Sequence, residues 1–282
     1  MKINVVLDQI KKEMTIRNYS HQTINNYCSA VKHFSQYIVE AEVQKVTGPF
    51  VKEYFYYLKS VRNVSYSTIK LYLAAIRFLY LNILKQDIDF DFNLRIRKPE
   101  TLPVVLSIEE VQRLLDSIPN LKHKTIMSLI YGCGLRISDV VKLKCADIDK
   151  DRMLVRVEQA KGRKDRYVVL SDNLLDLICK YHSAYKPSYY LFEGQKASNP
   201  YSTTSIQSLF RTAKKKAGIT KKATVHTLRH SYATHLLDQG TDIRYIQELL
   251  GHKNLATTQI YTHISTFNIN KVKSPAGFLK LQ

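Results

Sequence analysis

The side chains best suited to chemistry lie between positions 224 and 263. Drawn at about 100° per residue, a helix beginning near His226 puts Leu228, Tyr232, Ala233, Leu236 and Leu237 on one arc. Thr227, Ser231, Thr234, His235 and Asp238 take the opposite arc, while Arg229 falls in the middle of the apolar one and His226 at its edge. A guanidinium on the core side of a helix is costly unless an anion meets it, and no Asp or Glu shares that face. Two readings follow. Either Arg229 pairs with a carboxylate distant in sequence, or a bound phosphate satisfies Arg229, His226 and the free N–H groups of the first turn together. His226 and His230 are also four apart, a zinc-ligand spacing, but the Glu of a His-Glu-x-x-His site is missing.

Further candidates flank this helix. Ile243, Ile246 and Leu249/Leu250 mark a short helix that Gly251 ends, placing His252 at a chain reversal, and Tyr261 follows nine residues later. Upstream, Gly132-Cys-Gly-Leu-Arg136-Ile-Ser-Asp139 sets Arg136 just before a helix start, and Lys161 opens the polar run Lys161-Gly-Arg-Lys-Asp165. Two arginines, two histidines, a lysine and a tyrosine, with no acidic metal cluster, suit phosphoryl transfer without a metal. Two Arg can fork the non-bridging oxygens of a phosphodiester and neutralise charge that builds in the transition state. A tyrosine hydroxyl can attack in line to form a covalent intermediate. A His can hydrogen-bond the phosphate or help remove a proton, and a Lys can protonate the departing oxygen.

The composition fits a polyanionic partner. Lys+Arg 43 against Asp+Glu 24 gives 282 residues a net charge of +19, more than solvation requires, and nucleic acid is the commonest polyanion. Residues 1–100 hold 15 basic and 9 acidic residues, and residues 101–282 hold 28 and 15, so both halves are basic. With 45% hydrophobic and 24% charged residues, the chain can bury a core and is not disordered. Cys28, Cys133, Cys145 and Cys179 are too scattered for a disulfide framework or a zinc ribbon. The most apolar run, Leu71 to Leu84, spans 14 residues and contains Arg77, too short and too charged to cross a bilayer. No secretory leader opens the chain, so the expectation is a cytoplasmic protein with reduced thiols and no membrane partner.

The expected fold class is mainly α with a small β-sheet. Residues 1–92 read as an all-α domain of four helices: Val5–Ile16, one beginning at Ser20, one opened by Gly48-Pro49, and Ser65–Leu84. Their Tyr and Phe stripes are read as core rather than as platforms for bases. Residues 93–103, with Pro99 and Pro103, read as an extended linker whose Arg95, Arg97 and Lys98 could lie along a phosphate backbone. Residues 104–264 read as a mixed, mostly helical domain. Ser107 and Glu110 form a capping box, a helix runs from about Lys122 to Tyr131, and Met153–Val157 and Tyr167–Leu170 form a hairpin with a basic tip. Helices are then expected at Ser171–His182, Ser202–Ala217, His226–Gln239, Asp242–Leu250 and about Ala256–Tyr261.

The ordered elements Gly134-Leu-Arg136-Ile-Ser-Asp139, Lys161-Gly-Arg-Lys-Asp-Arg166, His226-Thr-Leu-Arg229-His230, Leu250-Gly-His252 and Tyr261-Thr-His263 resemble the tyrosine recombinases, the phage integrase family. They are most similar to its short Xer-like members, and the resemblance covers nearly the whole chain. It implies a core-binding helical domain and a catalytic domain that close as a clamp around duplex DNA. Tyr261 would be the nucleophile, forming a 3′-phosphotyrosyl bond and freeing a 5′-hydroxyl. Arg136 and Arg229 would clamp the phosphate, and Lys161 would be the general acid. His226 would be a general base or hydrogen-bond donor, His252 a further phosphate contact, and Asp139 support behind the first Arg. Neither ATP nor a metal is implied, so no cofactor and no small-molecule substrate is expected. Arg163, Lys164, Arg211, Lys214, Lys215 and Lys216 are read as phosphate contacts, which position a duplex without specifying its sequence.

The resemblance also implies inverted-repeat core sites, a Holliday junction, and a homotetramer or a heterotetramer with a paralogue. Residues 265–282 would be a tail docking on a neighbouring subunit. No room is expected for an N-terminal arm-binding domain, and the spacing of 65 from Lys161 to His226 leaves little space for the extra helix of integron integrases. Two other readings share features: a type IB topoisomerase with the same cleavage chemistry, and a DNA-binding regulator without catalysis. The Xer-like domain pair and short tail favour exchange between two duplexes.

Overall fold

The computed structural model describes residues 3–38, 46–86, 102–158, 165–195 and 199–262. The linker from 93 to 101, the hairpin tip 159–164, His263 and the tail 265–282 lie outside the described residues. The chain divides into two compact units, Met1–Glu100 and Thr101–Gln282.

The first unit contains α1 (Ile3–Ile16), α2 (His21–Tyr37), α3 (Gly48–Ser60) and α4 (Tyr66–Phe78). Spacing of three and four residues buries Val6, Ile10 and Met14 from α1, and Ile24, Val31 and Phe34 from α2. Ser20 and Ser65 cap their helices by accepting the N–H of Thr23 and Thr68. Pro49 in the first turn of α3 costs no hydrogen bond there. Tyr54 and Tyr80 are fully buried beside Phe34, and His33 Nδ1 lies 3.1 Å from the Tyr54 hydroxyl. These aromatic side chains are core.

The last helix departs from the expectation in one respect. Beyond Phe78 the hydrogen bonds loosen to a π-helical turn over Leu79–Leu84, ended by Lys85 at φ 54°. The helical run is thus 19 residues, Tyr66–Leu84, with mean hydropathy 1.3, so length alone does not exclude a membrane span as the 14-residue reading supposed. Its apolarity has a use in the fold: Ile69, Ala75, Ile76, Phe78, Leu79 and Tyr80 are buried in the core of this unit.

The second unit contains α5 (Ile108–Asp116), α6 (Leu121–Gly132) and α7 (Ile137–Lys142). A three-stranded antiparallel sheet follows, β1 (Ile148–Asp149), β2 (Leu154–Val157) and β3 (Arg166–Val169), in that order. Then come α8 (Asp172–Tyr185), α9 (Thr203–Lys216), α10 (Val225–Asp238), α11 (Ile243–Leu250) and α12 (Ala256–Gln259). Ser107 and Glu110 form the expected capping box of α5. In β3 the two-residue alternation buries Arg166 and Val168 while Tyr167 and Val169 face out. Val155 opposite Val168 joins the same apolar core.

Helix α10 is not the two-faced helix that its sequence suggests. Thr227, Ser231 and Thr234, on the arc opposite Leu228 and Tyr232, are buried as well. Between Val225 and Thr234 the helix is enclosed on both arcs except at His226 and His230. Its polar side chains find partners inside: Ser231 accepts the Leu106 N–H at 2.9 Å and donates to the Thr227 carbonyl at 2.9 Å.

Candidate active site

Two glycine turns and one helix end assemble the arginines. Gly134, at φ +58°, turns the chain between α6 and α7 and packs against the Tyr232 ring. Gly251, at φ 63°, caps α11. The last carbonyls of a helix lack intrahelical donors and carry the negative end of its dipole. Here each of three meets a different guanidinium. Arg166 Nε donates to the Leu249 carbonyl at 2.9 Å, Arg229 Nη2 to that of Leu250, and Arg136 Nη2 reaches that of Gly251 at 3.5 Å. Arg229 Nη1 also donates to the Gly134 carbonyl at 2.6 Å.

Arg229 has 0% exposure. What meets it is main-chain carbonyl oxygen and His252 Nε2, 3.1 Å from Nη2, rather than the distant carboxylate that one sequence reading supplies. The carboxylate at this site, Asp139, serves its neighbours. It accepts the Arg136 N–H at 3.2 Å and Arg166 Nη2 at 2.6 Å, and lies 3.9 Å from Arg136 Nη1. One carboxylate therefore pairs with two of the three guanidinium groups, and the third has no carboxylate in hydrogen-bond contact among the described residues. Among the described residues, Arg229 Nε and Arg166 Nη1 are buried without a hydrogen-bond partner. Burial, together with Arg136 and Arg166, pushes the Arg229 guanidinium down to about 9. Such a cluster is destabilised as it stands and is relieved by an anion.

The histidines share that field. Burial, followed by Arg229 and Arg136, lowers His226 and takes His252 to about 4. Burial, followed by His226 and Arg229, takes His230 to about 4 as well. All three are neutral at pH 7. Because an Arg can only donate, His252 Nε2 accepts, which puts its proton on Nδ1 facing Thr258 Oγ1 at 3.0 Å. The Thr258 carbonyl in turn accepts the Tyr261 N–H at 3.0 Å. Tyr261 is 1% exposed, with its hydroxyl 3.0 Å from His230 Nδ1. Burial raises the phenol, and Arg229 and Arg136 pull it down.

The structure thus brings together Arg136, Asp139, His226, Arg229, His252 and Tyr261. Arg211 is exposed and lines a cleft of about 540 Å³ that His226 also lines. Lys216 faces a separate cleft beside Ser117 and Asn120. Lys215 is exposed and Lys214 half-buried. Lys161, Arg163, Lys164, Arg95, Arg97 and Lys98 lie outside the described residues. Sequence reasoning left two residues without a role. Arg166 was legible, because alternation with Val168 and Leu170 puts it on the inward face of its strand. His230 had only its place beside Arg229, and its contact with a residue 31 positions away leaves no local trace. Among the described residues, no group of three or more His, Cys, Asp or Glu is placed to hold a metal ion.

Gly134 offers a direct test of this framework. A Cβ there would stand 2.4 Å from Tyr232 Cδ1 and impose a left-handed backbone on an L-residue. Gly134→Ala is expected to cost about 2–4 kcal/mol, read as a lowered thermal midpoint. An unchanged midpoint would mean that the turn is not the rigid support of the Arg229 contact.

Comparison with known proteins gives concordant matches along both units. Residues 105–267 match the phage integrase family, and residues 6–89 match its N-terminal SAM-like domain. The tyrosine recombinase XerA of Thermococcus kodakarensis is 34% identical over 284 residues, covering 98% of this chain and 97% of that protein. A crystal structure of XerA recombinase aligns with 94% of this chain and 95% of its own at 30% identity and a TM-score of 0.55. The XerH site-specific recombinase, in a post-cleavage complex with its palindromic difH substrate, aligns with 92% of this chain and 82% of its own. Its TM-score is 0.77 at 23% identity, a likeness of fold.

Proposed function

Because this chain belongs to the phage integrase family of tyrosine recombinases and is Xer-like, we propose that its arginine cluster holds a scissile DNA phosphate for attack by Tyr261. The enzyme is a tyrosine site-specific recombinase, which cuts and rejoins DNA strands. The observation that supports the site assignment is the gathering of Arg136, Arg166 and Arg229 at the end of α11, where Asp139 pairs with the first two only, within the electrostatic reach of a buried tyrosine. A phosphodiester supplies the missing negative charge, with Arg136 and Arg229 bonding its non-bridging oxygens.

In this reading Tyr261 attacks the phosphorus, giving a 3′-phosphotyrosyl bond and a free 5′-hydroxyl, and Lys161 protonates the departing 5′-oxygen. His226 hydrogen-bonds the phosphate from the first turn of α10, and His252 steadies Arg229. The bond energy stays in the phosphotyrosine, so a second 5′-hydroxyl can reverse the step and exchange strands through a Holliday junction. Both units engage the duplex, as their shared excess of Lys and Arg suggests. Arg211 and the lysines of α9 contribute phosphate contacts, together with Arg95, Arg97, Lys98, Arg163 and Lys164. Residues 1–92, 93–103, 104–264 and 265–282 act as core-binding domain, linker, catalytic domain and docking tail. The working assembly is a tetramer, of this chain alone or with a paralogue, on inverted repeats.

The test is covalent capture. The protein is incubated with fragmented DNA in EDTA, denatured in SDS, and the attached DNA sequenced. Adducts at inverted repeats flanking a short spacer are the expected result; scattered adducts would replace site-specific exchange with topoisomerase-like cleavage. Binding should also weaken steeply with salt. If about six phosphates are neutralised, affinity falls by roughly 10³-fold between 50 and 200 mM salt. A flat titration of duplex affinity would contradict a many-phosphate interface.

A further inference from the structure

The Tyr261 hydroxyl has a neighbour to which the mechanism above gives no role. His230 Nδ1 stands 3.0 Å from the phenolic oxygen, with ring centroids 5.7 Å apart. His230 lies one helical turn beyond His226 on α10, and the two imidazoles meet edge to face, centroids 4.6 Å apart at 84°. Other bases nearby are committed or out of contact. Both nitrogens of His252 are engaged, by Arg229 and Thr258. Among the described residues, no hydrogen bond joins His226 to Tyr261. The guanidinium groups have no lone pair to offer.

We propose that His230 is a further catalytic residue: its Nδ1 orients the Tyr261 hydroxyl and takes the phenolic proton as the oxygen attacks the scissile phosphate. This rests on Tyr261 being the nucleophile. The Oη–H bond breaks toward Nδ1 while the Oη–P bond forms, and the P–O5′ bond breaks as that oxygen takes a proton from Lys161. Religation returns both protons along the same routes. His226 is then left to the phosphate alone.

The site's own charges time the transfer. Without DNA, burial and the neighbouring His226 and Arg229 hold His230 neutral but weakly basic, while burial keeps the Tyr261 phenol protonated. The proton therefore stays on oxygen in the free enzyme. A bound phosphodiester offsets the cationic field that depresses His230, and a phenol forming a bond to phosphorus becomes strongly acidic. Both changes come with substrate, so the nucleophile is activated at the step that needs it.

The experiment uses the full chain and a nicked duplex carrying the site recovered by capture. Single-turnover adduct formation is measured for native protein, His230→Gln and His230→Ala, each with Tyr261 or with 3,5-difluorotyrosine at that position. Glutamine keeps a hydrogen bond but cannot take a proton. The expected result is a loss of about 10²–10³-fold in both variants with duplex affinity retained. Difluorotyrosine, a more acidic phenol, should recover at least about tenfold of that loss. Cleavage by His230→Gln within about threefold of native would overturn the proposal. So would a loss that difluorotyrosine does not relieve, since a purely structural role is indifferent to phenol acidity. Absence of any adduct from the native protein would instead remove Tyr261 as nucleophile, and this inference with it.

Discussion

Replacing Tyr261 by Phe is expected to abolish the covalent protein–DNA adduct while leaving duplex affinity nearly unchanged. The loss should be on the order of 10⁵-fold or more, as when a covalent nucleophile is removed from its machinery. The ring is buried with Ala233, Ile246 and Leu250, and phenylalanine keeps that packing. What disappears is one oxygen, whose hydrogen bond to His230 is worth about 1 kcal/mol net. Folding and the basic surface therefore survive, and any fall in adduct formation is chemical. The check is SDS-resistant complex on labelled duplex beside a filter-binding isotherm for the same preparations. A persistent adduct in Tyr261→Phe would place the nucleophile elsewhere in the chain. Joint loss of adduct and affinity would show that the hydroxyl supports the binding surface, which its 1% exposure argues against.

How much of this was legible in the sequence depends on the range of the interaction. Local periodicity gave α1 through Val6, Ile10 and Met14 and helix starts near Ser20 and Ser65, and local side-chain chemistry gave the capping box at Ser107. β1 escaped because two residues are too few to show a period. The π-helical turn at Leu79–Leu84 escaped because a shift in backbone hydrogen bonding leaves apolar spacing almost unchanged. The candidate site was found by residue type and spacing, and Arg229 stood out as a cation on an apolar arc. Its solution was not visible. The Gly134 and Leu250 carbonyls lie 95 and 21 residues away, and main-chain acceptors have no signature in side-chain identity. The same holds for the end of α11, whose carbonyls gather Arg136, Arg166 and Arg229. A reader of sequence looks for carboxylates to pair with arginines; here a helix terminus does most of that work.

That arrangement makes Arg229 the residue at which stability and chemistry separate. Arg229→Ala is expected to lose about 2–5 kcal/mol of stability, because it opens a cavity and strands two buried carbonyls. Its catalytic defect would then be ambiguous. Arg229→Met fills most of the volume without charge. It too strands the carbonyls, but it relieves the repulsion that Arg136 and Arg166 exert on a guanidinium already held down by burial. Exchanging a buried ion for an apolar isostere is often close to neutral, so Arg229→Met should melt nearer to the native protein than Arg229→Ala does. Its adduct formation should nevertheless fall by about 10²–10³-fold, the scale for removing one donor from a transition-state oxyanion. Arg229→Lys should fall almost as far, because a single ammonium cannot fork two phosphate oxygens while also reaching the two carbonyls. The comparison requires thermal midpoints and single-turnover adduct rates on the same three proteins. If Arg229→Met melted with Arg229→Ala, the arginine would be principally a structural clamp for the turns at Gly134 and Gly251. If it instead cleaved like the native enzyme, the phosphate would be held by Arg136 and Arg166 alone. The expected pattern of near-native melting and crippled cleavage identifies a cation kept buried, at a cost to the free protein, because the phosphate that repays it arrives only with DNA.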